Sequence, residues 1–292
     1  MFREPAEREQ FSSQRDFLEK ESLRANMEII DLNISQERIN MDDFIEDYGE
    51  EEVTRDKNVA QKLKEKYENS QKKLPEEEQE NHRIAKMLEK VIEEVAELNE
   101  WFGGEAIVVK TCDYDDYKNG VDLVIEFNGE EKRSFLAVDV CMAFDYSRVE
   151  EKIKKNIKRM ERDFSSVEVK YYCSEVEGSD GEIYKGKIEN LVTAVIGIDR
   201  NNAEKLFDDC AELLQTKNKE AKERIRLSEA QVIFLDQIEK QLNLYKEKGI
   251  IEEENELLSI IESVKKEKKS IERGEDDKMR ENIERACDEY SL

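Results

Sequence analysis

Asp122 stands near the start of the run VDLVIEF at 121–127, and Asp139 interrupts the run SFLAVDVCMAF at 134–144, so two carboxylates are written into short apolar stretches. Taking a carboxylate out of water beside Val138 and Val140 is costly unless something compensates it, and a divalent cation is one compensator. If the two runs pair through the NGEEK turn at 128–132, the carboxylates converge, and hard oxygen ligands of this kind suit magnesium or manganese. The plainer account makes Asp122 an acid capping the NG turn and puts Asp139 on an exposed strand face.

Other chemistries find less support. His82 is the sole histidine and opens a charged helix, where a surface role is expected, so histidine-based metal or triad chemistry is set aside. The five cysteines, Cys112, Cys141, Cys173, Cys210 and Cys287, lie far apart without a C-x-x-C pair, which argues against a disulfide framework or a zinc knuckle. Cys141 reads as a small buried apolar residue. The segment 148–162 carries Arg148, Lys152, Lys154, Lys155, Lys158, Arg159 and Arg162 against Glu150, Glu151 and Glu161, a basic exception that would suit phosphate. Its alternative is a solvated helix paired with acidic segments elsewhere in the chain.

These residues need elements to hold them. Apolar positions near Phe17, Leu18, Leu23, Met27, Ile30 and Ile34 recur at spacings of three and four and predict amino-terminal helix, with a break at Tyr48 and Gly49 and a second helix over 54–74. Pro75 followed by three glutamates predicts a helix start, and Ile84, Met87, Leu88, Val91, Ile92, Val95 and Leu98 share one face of a helix running to Phe102, where Gly103 and Gly104 stop it. The period then changes: EAIVVKTC, VDLVIEF and SFLAVDVCMAF predict a meander of three strands. A basic helix over 148–162 follows, then a strand SVEVKYYCSEV, a polar loop through Gly186, and a last strand NLVTAVIGID. Beyond Asn201 the chain reads as helical, with Ser228 and Gln231 as a capping box and Gly249 between two helices able to pair as a hairpin.

A glutamate-bearing helix, the strand NGVDLVIEF and the strand LAVDVCM together resemble the PD-(D/E)xK, restriction-endonuclease-like nucleases. The resemblance spans residues 81–199. It implies an α/β (α+β) core, a central mixed sheet flanked by helices, with Asp122 and Asp139 holding the metal and a helix glutamate, Glu94 or Glu97, assisting. The family's lysine, expected two residues after Asp139, is replaced by Cys141. A thiol offers no fixed positive charge, so Lys152 or Lys155 on the following helix becomes the best substitute, as in members that move this lysine to a neighbouring helix, with Lys110 a weaker candidate. The stretch TCDYDDYKNGVD is also similar to uncharacterised bacterial proteins of candidate-phylum genomes that lack the same lysine. That likeness adds Asp116, with Asp115, as a ligand or loop-shaping candidate.

The chain of 292 residues has 41% charged residues, two prolines and a net charge of −25, a profile of long solvated helices that repels phosphate backbones outside any segregated basic face. The expected organisation is an acidic helical amino-terminal arm over 1–75, a nuclease-like core over 76–200 and a carboxy-terminal helical hairpin or extension over 201–292. No apolar run approaches the ~20 residues of a membrane helix, and the amino terminus lacks an apolar signal core, so a cytoplasmic protein without a membrane partner is expected. Three functions compete. One is magnesium- or manganese-dependent phosphodiester hydrolysis of nucleic acid approached through 148–162. The second is a silent nuclease-like scaffold or binding module, and the third a helical interaction protein on an unrelated α+β core. The helical arms offer a route to a homo-oligomer.

Overall fold

The computed structural model describes residues 5–35, 39–129, 133–142, 146–162, 167–177, 181–252, 254–271 and 277–291, with the side chains of 5–17 and 162 left aside. The tip of the NGEEK turn at 130–132, the end of the third apolar run at 143–144 and the side chains of Phe17 and Arg162 therefore lie outside the described residues.

The architecture is mixed α/β, as the sequence predicts. Helix α1 (Pro5–Asn33) buries Leu23 and Ile30 while Leu18 stays exposed. A short helix α2 (Ile45–Tyr48) ends at Gly49, whose φ of 84° takes the break, and α3 (Glu50–Gln71) follows. Helix α4 (Glu76–Leu98) starts after Pro75 and buries Ile84, Leu88, Val91, Ile92 and Val95. It stops short of the predicted Phe102. The chain instead turns through Glu100 (φ 54°) and Gly103 (φ 106°), which lets both Trp101 and Phe102 enter the core and leaves Leu98 exposed.

Strands β1 (Ala106–Lys110), β2 (Leu123–Asn128) and β3 (Arg133–Val140) form the predicted antiparallel meander. Helix α5 (Tyr146–Arg162) then leads to β4 (Val169–Glu177), β5 (Ile183–Ile188) and β6 (Val192–Ile196). The polar loop expected through Gly186 is in fact β5, paired with β4 as a separate antiparallel hairpin. Its sequence IYKGKI alternates exposure along a largely solvated strand, and so lacks the apolar run that marks the others. The main sheet has the order β1-β2-β3-β6, with β6 parallel to β3 and Asp139 opposite Val195.

Helices α6 (Arg200–Thr216), α7 (Lys219–Arg226), α8 (Ala230–Glu247), α9 (Glu256–Glu267) and α10 (Lys278–Tyr290) complete the chain. Helix α8 lies along the free side of β6. There Gln241 accepts from Val195 N–H (2.9 Å) and donates to Val195 O (2.8 Å), and Gln237 accepts from Gly197 N–H (3.0 Å) and donates to Gly197 O (2.8 Å). The Ser228–Gln231 capping box is not formed: the Gln231 amide donates to the carbonyls of Arg226 and Ser228 instead of receiving the Ser228 N–H. Helix α9 returns onto α8 after Gly249 (φ 67°), and α10 packs on both α8 and α5. One apolar core joins α1, α4, the main sheet and the carboxy-terminal helices, and Phe44, Val53, Cys112 and Tyr171 belong to a second, smaller cluster. Among the described residues no helix is long and apolar enough to cross a membrane.

Gly197 fixes how closely β6 meets the end of β3. A Cβ there would lie 2.0 Å from the Cys141 carbonyl oxygen, an impossible approach against backbone. Gly197→Ala is therefore expected to destabilise the fold by about 3 kcal/mol, the upper part of the overpacking range. An unchanged urea midpoint would refute this.

Candidate functional site

Asp122 continues the β2 ladder by one residue, its N–H donating to Val138 O at 2.9 Å, while its Oδ2 accepts from Val140 N–H at 2.8 Å. The chain reaches that position through a π-helical turn, Asp115–Asn119, closed by Gly120 in the left-handed region (φ 69°). Asp139 lies on β3 beside it, and the two side chains come within hydrogen-bonding range of each other. From α5, Lys152 Nζ donates to Asp139 Oδ1 at 2.6 Å. Arg148, Lys152, Lys155 and Arg159 recur at helical spacing and all line one cavity of about 340 Å³. Helix α4 brings Lys86 and Glu89 to the same cavity from a single face, and Asp116 enters from the π turn.

A lattice of ion pairs joins these groups. Lys86 Nζ lies 3.0 Å from Glu89, 3.5 Å from Asp116 and 3.7 Å from Asp122. Lys110, whose side chain is 0% exposed, donates to Glu89 Oε2 at 2.6 Å and sits 3.8 Å from Asp116. Burial works against the Asp122 carboxylate, but Lys110, Lys86 and Lys152 together outweigh it and hold its pKa at about 2. Asp139 is displaced the other way: burial raises it, Lys152 opposes, and the adjoining Asp122 adds to the rise. Burial tends to discharge Lys152 and Lys86, yet Asp139 for the first and Asp122 for the second keep both ammonium groups charged beyond the ordinary lysine range. Burial pushes the Cys141 thiol to about 12, so it is neither a nucleophile nor a charge.

Burial, reinforced by Asp122, raises Glu89 to about 7 from an ordinary 4.5. The folded chain thus keeps a proton that the unfolded chain releases near 4.5, and stability falls as pH rises between about 4.5 and 7. This contribution is on the order of a few kcal/mol. Glu89→Gln is expected to flatten the slope of denaturant stability against pH across that window. A slope identical to the native one would rule out Glu89 as its source.

Asp122, Asp139, Asp116, Lys152 and Lys155 all line the one cavity. Glu94 and Glu97 do not: both are exposed, five and eight residues beyond Glu89, hence about 7.5 and 12 Å further along the helix axis. Glu89 occupies the place expected of them. Lys110 lies inward, bonded to Glu89, with its charge also acting on Asp122. Asp115 shapes the loop, accepting from the N–H groups of Lys170 (2.9 Å) and Tyr171 (3.0 Å) and from Asn119 Nδ2 (2.7 Å). His82, read from sequence as a surface residue, lines the cavity beside Lys86 and Tyr67. The signal that could have found Glu89 and Lys86 is their i, i+3 spacing within the most apolar stretch of α4.

The metal can be weighed against this donor set. Two carboxylates abutting in one half-buried place, one of them raised by the other, are the situation that a hard dication relieves. Among the described residues no three acidic, cysteine or histidine side chains are grouped so as to hold a metal. The set therefore fits a small ion held by two aspartates with its remaining positions left to water and substrate, as suits magnesium, rather than an all-protein cage. No protein-family model, curated protein or solved structure matches the chain.

Proposed function

We propose that this chain is a magnesium- or manganese-dependent phosphodiester hydrolase of the PD-(D/E)xK type that acts on nucleic acid. The reading rests on one observation: the adjoining Asp122 and Asp139 carboxylates are met by the Lys152 ammonium at 2.6 Å, a cation supplied from α5 where the third strand carries Cys141.

Asp122 and Asp139 would hold the ion through Oδ atoms, Asp122 kept ionised by its lysine neighbours and fixed by Val140 N–H. When bound, the metal supplies Lewis acidity, polarising a phosphoryl oxygen and making water more acidic. Lys152 Nζ, already oriented by Asp139, has donors left to align an incoming water and to stabilise negative charge developing on the phosphoryl oxygens. Arg148 and Lys155, on the same face of α5, bind flanking phosphates. A cytoplasmic setting accords with five free cysteines, all but Cys173 buried.

A silent scaffold is the second reading, favoured by Lys86. Its ammonium among Glu89, Asp116 and Asp122 already neutralises much of the acid cluster without a metal. Calorimetric titration of magnesium and manganese into the native chain and into Asp139→Ala separates the two. Binding to the native chain that disappears in the variant supports the hydrolase. A native chain that binds neither ion leaves only the scaffold.

A further inference from the structure

The cavity that α5 lines with its basic face also has an aromatic rim. Tyr67 of α3, His82 of α4 and Tyr117 of the π turn all line it. The Tyr67 and His82 rings meet edge to face with centroids 6.0 Å apart, and the Tyr67 hydroxyl and His82 Nδ1 lie 3.2 Å from each other. Tyr117 also meets Tyr67, centroids 5.8 Å apart and planes at 59°. Tyr67 is 37% exposed and lines the same cavity as the two aspartates. The π-helical turn gives this arrangement a cause, because its wider backbone buries Asp115 and Asp116 while leaving the next residue, Tyr117, at the rim.

Resting on the hydrolase reading, we infer that the site takes single-stranded nucleic acid, with an unpaired base stacked on Tyr67 and Tyr117 and its phosphate towards Arg148 and Lys155. Inside a duplex the base faces are occupied by neighbouring pairs, and only an unpaired base can present its π face to an aromatic side chain. A cavity of about 340 Å³ is on the scale of one small ligand such as a single nucleotide. Charge points the same way. The chain carries −25 overall, so capture cannot rely on a long basic track and must be local, through stacking plus a few cations.

The test has a binding arm and a cleavage arm. In EDTA, the native chain is titrated into single-stranded and duplex oligonucleotides carrying 2-aminopurine, whose fluorescence falls when the base stacks on an aromatic ring. In magnesium, cleavage of the same sequences is followed for the native chain, Tyr67→Leu, Tyr117→Leu and Tyr67→Phe. Quenching on the single strand alone is expected, with KM for single-strand cleavage raised about tenfold by either leucine variant and held near native by Tyr67→Phe. Equal cleavage of duplex interiors, or leucine variants indistinguishable from native, would overturn the inference and leave the hydrolase reading standing. Absence of all cleavage would count against the hydrolase reading alone. The quenching arm then decides the aromatic subsite, which is lost if single strands bind without quenching or do not bind.

Discussion

If the chain is the hydrolase proposed, Lys152→Met is expected to lower kcat/KM for magnesium-supported cleavage by about a hundredfold to a thousandfold, the cost of removing one preorganised donor aimed at developing negative charge. The expectation follows from position. The strand that carries Asp139 offers Cys141 two residues later, a thiol that burial holds uncharged, so the nearest fixed cation is the Lys152 ammonium 2.6 Å from Asp139. Methionine keeps the unbranched stem and removes the charge. Lys155→Met, on the same face of α5, is expected to cost less than about tenfold and to act mainly on KM. Steady-state kinetics at saturating magnesium, with circular dichroism to establish an unchanged fold, make the comparison. A Lys152→Met variant within threefold of native would remove this lysine from the proposed chemistry.

The second large effect is on stability. Lys110 and Glu89 are 0% and 2% exposed at the side chain and bonded at 2.6 Å, so Lys110→Met leaves a carboxylate in the interior without its closest partner. Breaking a buried pair in this way costs about 3–5 kcal/mol. The lower end is expected here, because Lys86 Nζ stays 3.0 Å from Glu89. Adding Glu89→Leu should recover most of the loss, since two apolar side chains leave no charge stranded. The loss should also be smaller at pH 6 than at pH 8, because Glu89, with its pKa near 7, can take up a proton at the lower pH. Equilibrium unfolding in urea measures all of these. A double variant no more stable than Lys110→Met would show that the loss is one of packing and not of charge.

The two aspartates are legible in the sequence because an ionisable group inside a β-branched run has few uses, and the meander follows from the short apolar runs, bounded by turn residues, that contain them. Lys152 is legible for a related reason: it lies on a basic segment directly after the strand that bears Asp139. The helix glutamate is not. Helix α4 carries glutamates along its length, and its apolar stripe fixes which angle faces the sheet but not how far along the axis the aspartates fall. That depends on where the turn at Glu100 and Gly103 lets β1 begin, a tertiary result. Strand β5 is hidden by its own solvation, since a polar strand with a central glycine is indistinguishable in pattern from a loop. His82 and Tyr67 come from two helices and meet at a cavity that no local pattern announces.

The bonds from Gln237 and Gln241 to Val195 and Gly197 have a consequence for assembly. Side-chain amides four residues apart imitate the donors and acceptors of a fifth strand, so the rim of the sheet at Val195 and Gly197 is already paired and resists an incoming chain. A shortened form ending before Ala230 would lose that imitation and bare a backbone row next to the strand bearing Asp139. Such a fragment should stick to its own copies rather than behave as a smaller version of the same molecule, which makes α8 part of what keeps the sheet solitary.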